Sequence, residues 1–495
     1  MACGKRIEDI EMKSLSPALL LFTFLACMMG HGLAPPTESE LAAQNEGDSP
    51  NFILIMADDQ GWGDTSFNGH KRLKTPGLDA MAENGLRFNR FYAAAPVCSP
   101  TRGSCLTGRH PFRYGVFFAN KGHLKKEEIT VAEYLKSKDY TTGHFGKWHL
   151  GTLTTKIKDS NRGGTPKGKE HFSPPQANGF DVSFSTEAKT PTYDPLLKPA
   201  GKASKTHWLP IKDKSKAVPY GTRYWRNGKL VKEKLEGDDS KIIMDEALQF
   251  IENSKDKKFL SVIWFHAPHL PVVASDQDRK EFSDLSPHEQ SYLGCIKALD
   301  RQVARLRTKL RELKIAENTM ICYCSDNGPE GNAASPGSAG QLRGRKRSLY
   351  EGGVRVPGII EWPKKIKAGS STDYIAVTSD YFPTIVELTG GKLPDRPVDG
   401  KSLTTVFQNP KQPRQRPIFF ETNSSATMVE QDYKLYATTN GKNKSLVKLE
   451  LYHVTSDPGE TRDLARDEAN RVNAMRKALE AWRASCTQSQ SGSDY

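Results

Sequence analysis

Residues 51–57 read NFILIMA and are followed at once by Asp58-Asp59-Gln60-Gly61. An apolar run of this length that ends in turn residues predicts a β-strand. Three further segments have the same form, a predicted strand followed at once by polar residues: Tyr140–Gly146 before Lys147-Trp148-His149, Phe259–Phe265 before His266-Ala267-Pro268-His269, and Thr319–Cys324 before Ser325-Asp326-Asn327-Gly328.

Helical patterns separate these strands, among them Ser240–Ser254 and Pro287–Leu313. Strands that alternate with helices predict an α/β fold with a large, mostly parallel sheet sandwiched by helices. After Asn409 the pattern changes to short strands, and an amphipathic stretch, Glu468–Ala484, closes the chain. This part predicts a smaller C-terminal antiparallel sheet plus one helix. Because ligands bind beyond the carboxyl ends of parallel strands, we expect the polar clusters to form one site.

The N-terminus is typical of a secretory signal. Basic residues precede Leu19–Met29, an apolar run too short to span a bilayer, and small residues follow it. We therefore expect a signal peptide at 1–34, a flexible leader at 35–49 and a secreted or periplasmic protein without a transmembrane span. The segment Phe24-Leu25-Ala26-Cys27 also has a weak likeness to a lipoprotein cleavage box, so lipid anchoring stays open. The main domain should cover 50–408, with an insert at 154–216, and the C-terminal subdomain 409–495.

The chain has a formal charge of +13, which favours anionic partners through long-range attraction. Nucleic acid, anionic lipid and sulfated polymers all satisfy this condition. Six of the eight cysteines lie outside the predicted signal, and their spacing has no disulfide framework. We therefore expect a fold that depends on its core, with Cys322 and Cys324 as buried thiols in a strand.

The pairs Asp58-Asp59 and Asp326-Asn327 offer hard oxygen donors without paired cysteines or histidines. Such donors select Ca²⁺ or Mg²⁺ over zinc. Each pair alone is equally typical of a turn or a helix cap, so neither pair alone establishes a metal site.

The most specific motif is Cys98-Ser99-Pro100-Thr101-Arg102, followed by Thr107-Gly108-Arg109. A C-x-P-x-R motif with a downstream T-G-R resembles the sulfatase signature that a formylglycine-generating system modifies. Further matches to that family, in its own order, are spread over most of the chain: Asp58-Asp59, Gly146–Gly151 (GKWHLG), Ala267-Pro268-His269, Asp326-Asn327, Leu342–Lys346 with Tyr350–Pro357, and Glu450–Tyr452 with Asp457–Glu460.

The resemblance implies an alkaline-phosphatase superfamily fold and the hydrolysis of sulfate esters, with release of inorganic sulfate from a sulfated carbohydrate or an aryl sulfate. It implies that a formylglycine-generating maturase oxidises Cys98, and that one Ca²⁺ is bound. By the same resemblance, the metal ligands are these: Asp58, Asp59, Cys98, Asp326 and Asn327.

The family's catalytic residues map onto Cys98 as the nucleophile and onto five further side chains. Arg102 and Lys147 would steady the hydrated aldehyde, and His149 would take a proton from it. His269 and Lys346 would hold the sulfate and protonate the leaving oxygen. Asp326 would help to deprotonate the attacking hydroxyl. His266, three residues before His269, is the alternative for the sulfate-contacting histidine.

Two other functions stay open at this point. A phosphatase or phosphonate monoester hydrolase could share the fold, although the site lacks the histidine pairs typical of zinc phosphatases. A non-catalytic binder of sulfated glycans could use the basic insert at 154–216. We expect no nucleic-acid partner. The insert should lie over the active-site face, and Lys212, Lys214 and Lys216 could attract a polymeric anion there; a solvated surface loop is the alternative.

Overall fold

The computed structural model describes residues 49–159, 162–204 and 207–495. The predicted signal peptide at 1–34, and the predicted leader except Ser49, lie outside the described residues. No helix of the described residues is long and apolar enough to cross a membrane.

The described residues form one large mixed sheet, which is mostly parallel, and three smaller sheets. In spatial order, the ten strands of the large sheet are β14-β2-β13-β11-β1-β10-β4-β5-β8-β9. The strands, in chain order, are β1 Asn51–Ala57, β2 Leu86–Phe88, β3 Phe91–Tyr92, β4 Thr141–Lys147, β5 Val182–Thr186, β6 Ala200–Ser204, β7 His207–Leu209, β8 Trp225–Arg226, β9 Lys229–Leu230, β10 Phe259–Trp264, β11 Thr319–Ser325, β12 Arg355–Val356, β13 Gly358–Glu361, β14 Ser370–Thr372, β15 Ala376–Val377, β16 Ile418–Glu421, β17 Ser425–Glu430, β18 Tyr433–Thr439 and β19 Leu446–His453.

Helices cover both faces of this sheet, which confirms the predicted sandwich. The α-helices of the described chain are Pro76–Glu83, Cys98–Thr107, Val131–Lys136, Asp239–Asn253, Asp276–Lys280, Pro287–Glu312, Glu351–Val354, Tyr381–Leu388, Thr404–Gln408 and Ala469–Gln490. Single 3₁₀ turns occupy Ser66–Asn68, Pro111–Arg113, Pro166–His171, Pro175–Asn178, Lys214–Lys216 and Thr378–Asp380.

The burial of β1 on both faces explains why its sequence is apolar from Phe52 to Ala57. Phe52, Leu54 and Met56 belong to the core on one face of the sheet, whereas Ile53 and Ile55 belong to the core on the other face. A strand with helices on both sides has no solvated face, so the alternation of apolar and polar residues disappears.

The insert at 154–216 contains more regular structure than its composition indicates. Strand β5 lies inside it, pairs with β4 in parallel and joins the large sheet. Phe184 supplies the reason, because its ring is fully buried and stacks on Tyr224 with centroids 4.4 Å apart. The insert is therefore anchored to the sheet beside the strand that ends in Lys147.

The C-terminal part has the predicted composition of an antiparallel sheet and one helix. Strands β16 to β19 pair in sequence order, and the helix Ala469–Gln490 packs against them through a separate apolar core. The helix runs six residues beyond the predicted end at Ala484, and Cys486 on this extension is buried. We propose the boundary of this subdomain at 408/409, directly after the helix Thr404–Gln408 and before β16 begins at Ile418.

The six cysteines of the described chain are all free and buried. Cys322 and Cys324 lie on β11 with their side chains fully buried, which confirms the expectation of buried thiols. Packing therefore stabilises this fold without a disulfide among the described residues.

Candidate active site

The strand register brings the predicted polar clusters to one edge of the sheet. Strand β1 lies between β10 and β11, with Met56 opposite Trp264 and Ala57 opposite Ser325. The residues that follow these strands therefore emerge side by side. The backbone amide of Asp59 donates a hydrogen bond to Asp326 Oδ1 over 3.0 Å, although 267 positions separate the two residues in sequence.

Cys98 begins the helix Cys98–Thr107, and Val97 before it is extended. Pro100 lies in the first helical turn, where the backbone N–H that proline lacks would have no partner within the helix. The Cys98 thiol is buried and donates to Asp58 Oδ1 over 3.4 Å. Burial, and then the carboxylates of Asp326 and Asp58, raise the pKa of this thiol well above its usual range.

Three buried cations oppose the three carboxylates of the site. Lys147 Nζ is 2.5 Å from Asp58 Oδ2, and Lys346 Nζ is 2.5 Å from Asp59 Oδ1. Arg102 donates to Asp326 Oδ2 over 2.7 Å. Each buried carboxylate is paired with a cation, which offsets the desolvation free energy that either charge would cost if it were buried alone.

These cations also decide the protonation state of Asp58. Burial by itself favours the neutral carboxyl group, but Lys147, His269 and Arg102 together hold the pKa of Asp58 well below its usual range. An ionised carboxylate at this position is available to a metal ion at neutral pH.

Two buried oxygens of the site have no hydrogen-bond partner among the described residues, and they fit a cation. These are Asp59 Oδ2 and Asn327 Oδ1. Buried polar atoms are normally paired, so an orphaned carboxylate oxygen beside an orphaned amide oxygen indicates a missing electropositive partner. One ligand atom each from Asp58, Asp59, Cys98 and His269 also lies within 4.8 Å of the others. The donors are mainly hard oxygens, which suit Ca²⁺.

His149 is held in a conformation that few residues adopt. Its φ is +58°, and its Nε2 bonds Asn120 Oδ1 over 2.8 Å, while Nδ1 is buried without a partner in the described chain. Asp59 also has a left-handed backbone, with φ of +67°. Such strain is concentrated at functional sites. Burial, followed by the charge of Lys147, lowers the pKa of His149 well below its usual range, so the ring is neutral.

The structure separates the two histidines that follow β10. His266 is fully buried, where its ring contacts Asp239 Oδ2 over 2.8 Å and Thr186 Oγ1 over 2.7 Å. His269 lies on the active-site cavity, with Nε2 3.6 Å from Asp59 Oδ2. The geometry therefore favours His269 as the histidine that can reach a substrate, and gives His266 a structural role.

A cavity of about 1070 Å³ opens above these groups. Five of the predicted catalytic side chains line it: Cys98, Lys147, His149, His269 and Lys346. Arg102, the sixth, lies fully buried beneath them, where its guanidinium also stacks over Trp264 at 5.2 Å. The site can thus accept an anion above Cys98 and surround it with cations.

Two residues at the site were missed by the sequence-based prediction. Asn120 comes from a loop with no motif, and only the fold brings it to His149. Arg162, from the insert, is buried; it donates to Ser99 Oγ over 2.8 Å and pairs with Glu187. It braces the residue next to Cys98, and no local pattern of the sequence indicates that contact.

Comparison with known proteins agrees with this geometry. The sulfatase family model matches residues 50–391, and the model described as N-sulphoglucosamine sulphohydrolase, C-terminal, matches residues 344–485. Arylsulfatase A of Homo sapiens is 31% identical over 465 residues, which cover 87% of this chain and 86% of that protein. N-acetylgalactosamine-6-sulfatase of Mus musculus is 30% identical over 464 residues, which cover 85% of this chain and 83% of that protein.

Among solved structures, Ps i-CgsB in complex with k-i-k-neocarrahexaose superposes with a TM-score of 0.73 and 27% identity, covering 89% of this chain and 94% of that one. The family model spans more than half of this chain, and both relatives align over most of their own length. The chain therefore belongs to the sulfatase family and is a sulfuric ester hydrolase.

Proposed function

We propose that this enzyme hydrolyses sulfate esters with formylglycine at position 98 and one bound Ca²⁺. The observation that carries the proposal is the placement of the C-x-P-x-R cysteine. Cys98 begins a helix, lies against Asp58 and faces a cavity whose floor carries Lys147 and Lys346. A helix N-terminus and two ammonium groups favour the binding of an anion at this point.

Formylglycine, once hydrated, supplies one hydroxyl to attack sulfur and a second whose deprotonation releases the sulfate. Calcium supplies positive charge that offsets the repulsion between an anionic ester and its nucleophile. The residues that would hold the ion are Asp58, Asp59, Asp326, Asn327 and position 98. Their fit rests on the unpaired oxygens of Asp59 and Asn327.

The side chains of the cavity then have separate tasks. Arg102 lies beneath the cavity and donates hydrogen bonds to Asp326 and to the carbonyl oxygen of Lys147. It thereby holds the start of the helix Cys98–Thr107 against the end of β4. Lys147 and Lys346 neutralise the charge that develops on the sulfate. His149 is neutral and accepts a proton at Nδ1, the nitrogen not bonded to Asn120.

Lys346, whose pKa Asp59 raises despite burial, is proposed to protonate the leaving oxygen together with His269; because burial lowers the pKa of His269 to about 4, this histidine can donate only from its protonated form. It lines the cavity, and its Nδ1 contacts the carbonyl oxygen of Leu270 over 2.6 Å, which directs Nε2 toward Asp59 and the ligand space. The substrate would be a sulfated carbohydrate or an aryl sulfate. We propose a secreted or periplasmic location and a maturase that acts on Cys98, with no nucleic-acid partner.

Mass spectrometry and turnover test the proposal together. Protein co-produced with a formylglycine-generating maturase is digested with trypsin, which separates Phe91–Arg102, containing Cys98, from Gly103–Arg109, containing Cys105. We expect the first peptide to lose the thiol sulfur and gain an aldehyde oxygen, while the second keeps its thiol as an internal control. Aryl sulfate turnover should follow the modified fraction, and aryl phosphate should be a poor substrate. Full activity with unmodified Cys98 would contradict the proposal.

A further inference from the structure

The active-site cavity is much larger than a sulfate group. Its volume of about 1070 Å³ is at the upper end for sites that hold drug-sized ligands. The groups around Cys98 account only for the sulfate end of a substrate. The remaining walls must therefore contact the part of the substrate that carries the sulfate, and their composition indicates what that part is.

The walls of the cavity as a whole are strongly cationic. Among the described residues that line the cavity, six cationic side chains face two carboxylates, Asp159 and Glu330. The cations are Lys147, Lys158, Lys189, Arg223, Lys346 and Arg347.

Half of these cations already have partners. Lys147 pairs with Asp58, Lys346 with Asp59, and Arg347 with Glu330 over 2.6 Å. The other half do not. Lys158, Lys189 and Arg223 form no ion pair with any described residue, and all three are exposed.

The lining carboxylates do not neutralise these three cations. Asp159 lies close to Arg223 but is buried, and its oxygens accept hydrogen bonds from the Leu153 amide over 2.8 Å and from Trp225 Nε1 over 3.1 Å. Glu330 is bound to Lys346 and Arg347. The field of the three cations is therefore free to act on a ligand.

Three distant chain segments supply these cations. Lys158 lies in the first part of the insert, Lys189 comes shortly after β5, and Arg223 precedes β8. Lys189 lines the same cavity as Lys147 and Lys346. Partial desolvation, followed by those two ammonium groups, lowers the pKa of Lys189. Thr186 at the end of β5 pairs with Lys147 at the end of β4, so the segment that carries Lys189 leaves the large sheet beside Lys147.

The cavity also has an apolar surface that suits a ring. Phe118, which is 36% exposed, and the half-buried Tyr220 both line it. Aromatic side chains at a wet cavity provide contact area for the apolar face of a sugar while leaving its hydroxyls solvated.

We propose that Lys158, Lys189 and Arg223 form a second anion subsite, which binds an additional sulfate or a carboxylate on a sulfated sugar whose ring lies against Phe118 and Tyr220. This inference rests on the proposed function, since it assumes that the first sulfate is bound above Cys98. It narrows the substrate class to glycans with more than one anionic group and disfavours substrates that carry a single sulfate on an otherwise neutral body.

Competitive inhibition tests the subsite, with aryl sulfate turnover as the readout. The probes are N-acetylgalactosamine 6-sulfate and its 4,6-disulfate, which differ by one sulfate, and a uronate-containing chondroitin 6-sulfate disaccharide beside its carboxyl-reduced form. In at least one of the two pairs, we expect the wild-type enzyme to bind the probe with the extra anion at least about tenfold more tightly than its partner probe. The triple variant K158Q/K189Q/R223Q should lose this preference and keep aryl sulfate turnover.

The matched control is K156Q/K212Q/K216Q, which removes the same charge from insert lysines that do not line the cavity. Lys212 and Lys216 also belong to the set suspected from sequence alone, and the side chain of Lys216 pairs with Asp213 instead. The control variant should keep the preference for the probe with the extra anion. If both triple variants lost this preference, a general charge effect would explain the result and the proposed subsite would be refuted. A wild-type enzyme that turns over aryl sulfate but shows no preference in either pair would also overturn it. Absence of aryl sulfate turnover in the modified enzyme would instead refute the proposed function.

Discussion

Replacing Asp59 with asparagine tests the metal site without relying on activity. Asp59 Oδ1 accepts hydrogen bonds from Lys346 over 2.5 Å and from Asn327 Nδ2 over 2.7 Å, while Oδ2 is buried without a hydrogen-bond partner in the described chain. Asparagine keeps the shape of the side chain. It removes one negative charge and replaces one oxygen with an amide nitrogen that cannot bind a cation.

The expected size follows from ligand linkage. A Ca²⁺ concentration a hundredfold above Kd adds about 2.7 kcal/mol to the free energy of unfolding. With an unfolding entropy of about 2.1 cal/mol/K per residue, the described chain should melt roughly 3 °C higher. If the Asp59→Asn variant binds Ca²⁺ about a hundredfold more weakly, the same concentration adds only about 0.4 kcal/mol, and its Tm should rise by less than about 1 °C.

Differential scanning calorimetry of chelator-stripped protein, titrated with Ca²⁺, measures both effects. The matched control is Asp300→Asn. Asp300 is also buried, and it accepts hydrogen bonds from the amides of Gly77 over 2.9 Å and Leu78 over 2.7 Å. This control should lower the Tm of the stripped protein, because it weakens the start of the helix Pro76–Glu83, but its calcium-dependent shift should equal that of the wild type.

Two results would refute the reasoning. One is a wild-type protein whose Tm does not respond to Ca²⁺, and the other is an Asp59→Asn variant that retains the full shift. A shift produced by Zn²⁺ alone would contradict the choice of a hard cation, because the site is built mainly from oxygen donors.

Two other side chains give predictions of different kinds. Asn120→Ala should lower kcat for an aryl sulfate up to about tenfold with little change in KM, because His149 loses the hydrogen bond that orients it. Asn120→Asp keeps the acceptor oxygen and should retain most of kcat. Equal losses of kcat in the two variants would count against this role of Asn120. Although burial opposes ionisation, Arg113 lowers the pKa of Asp399 to about 2. The ionised carboxylate therefore stabilises the fold at pH values above its unfolded pKa of about 4, and this stabilisation disappears as the pH falls toward 2. Asp399→Asn, which also weakens the contact with Trp482, should lower the free energy of unfolding at pH 7 by about 3 kcal/mol and have less effect at pH 3 in urea titrations; no change at pH 7 would refute the contribution.

The sequence alone was sufficient for the parts of the site that depend on local pattern. The apolar run at β1 and its polar end are adjacent in the chain, so the position of Asp58 and Asp59 at a strand terminus follows from seven residues and a turn. Parallel strands end at one edge, and this rule predicted that Asp326 would meet them.

Other assignments needed contacts between segments that are far apart in sequence. His266 and His269 are three residues apart and chemically identical; His266 is buried because Asp239 and Thr186 enclose it, and neither contact has a local signature. Asn120 reaches His149 from a loop without a motif.

The same limit explains why sequence composition cannot distinguish the individual lysines of the insert. These lysines have the same composition and charge, but Lys214 pairs with Asp194 and Glu236, whereas Lys189 lines the cavity. Sequence thus determined the fold class, the strand ends and the reactive motif, which depend on short-range periodicity and chain connectivity. Only the tertiary structure showed that His266 is enclosed and which cations line the cavity without a partner among the described residues, because burial and charge pairing depend on neighbours that the chain brings together over hundreds of residues.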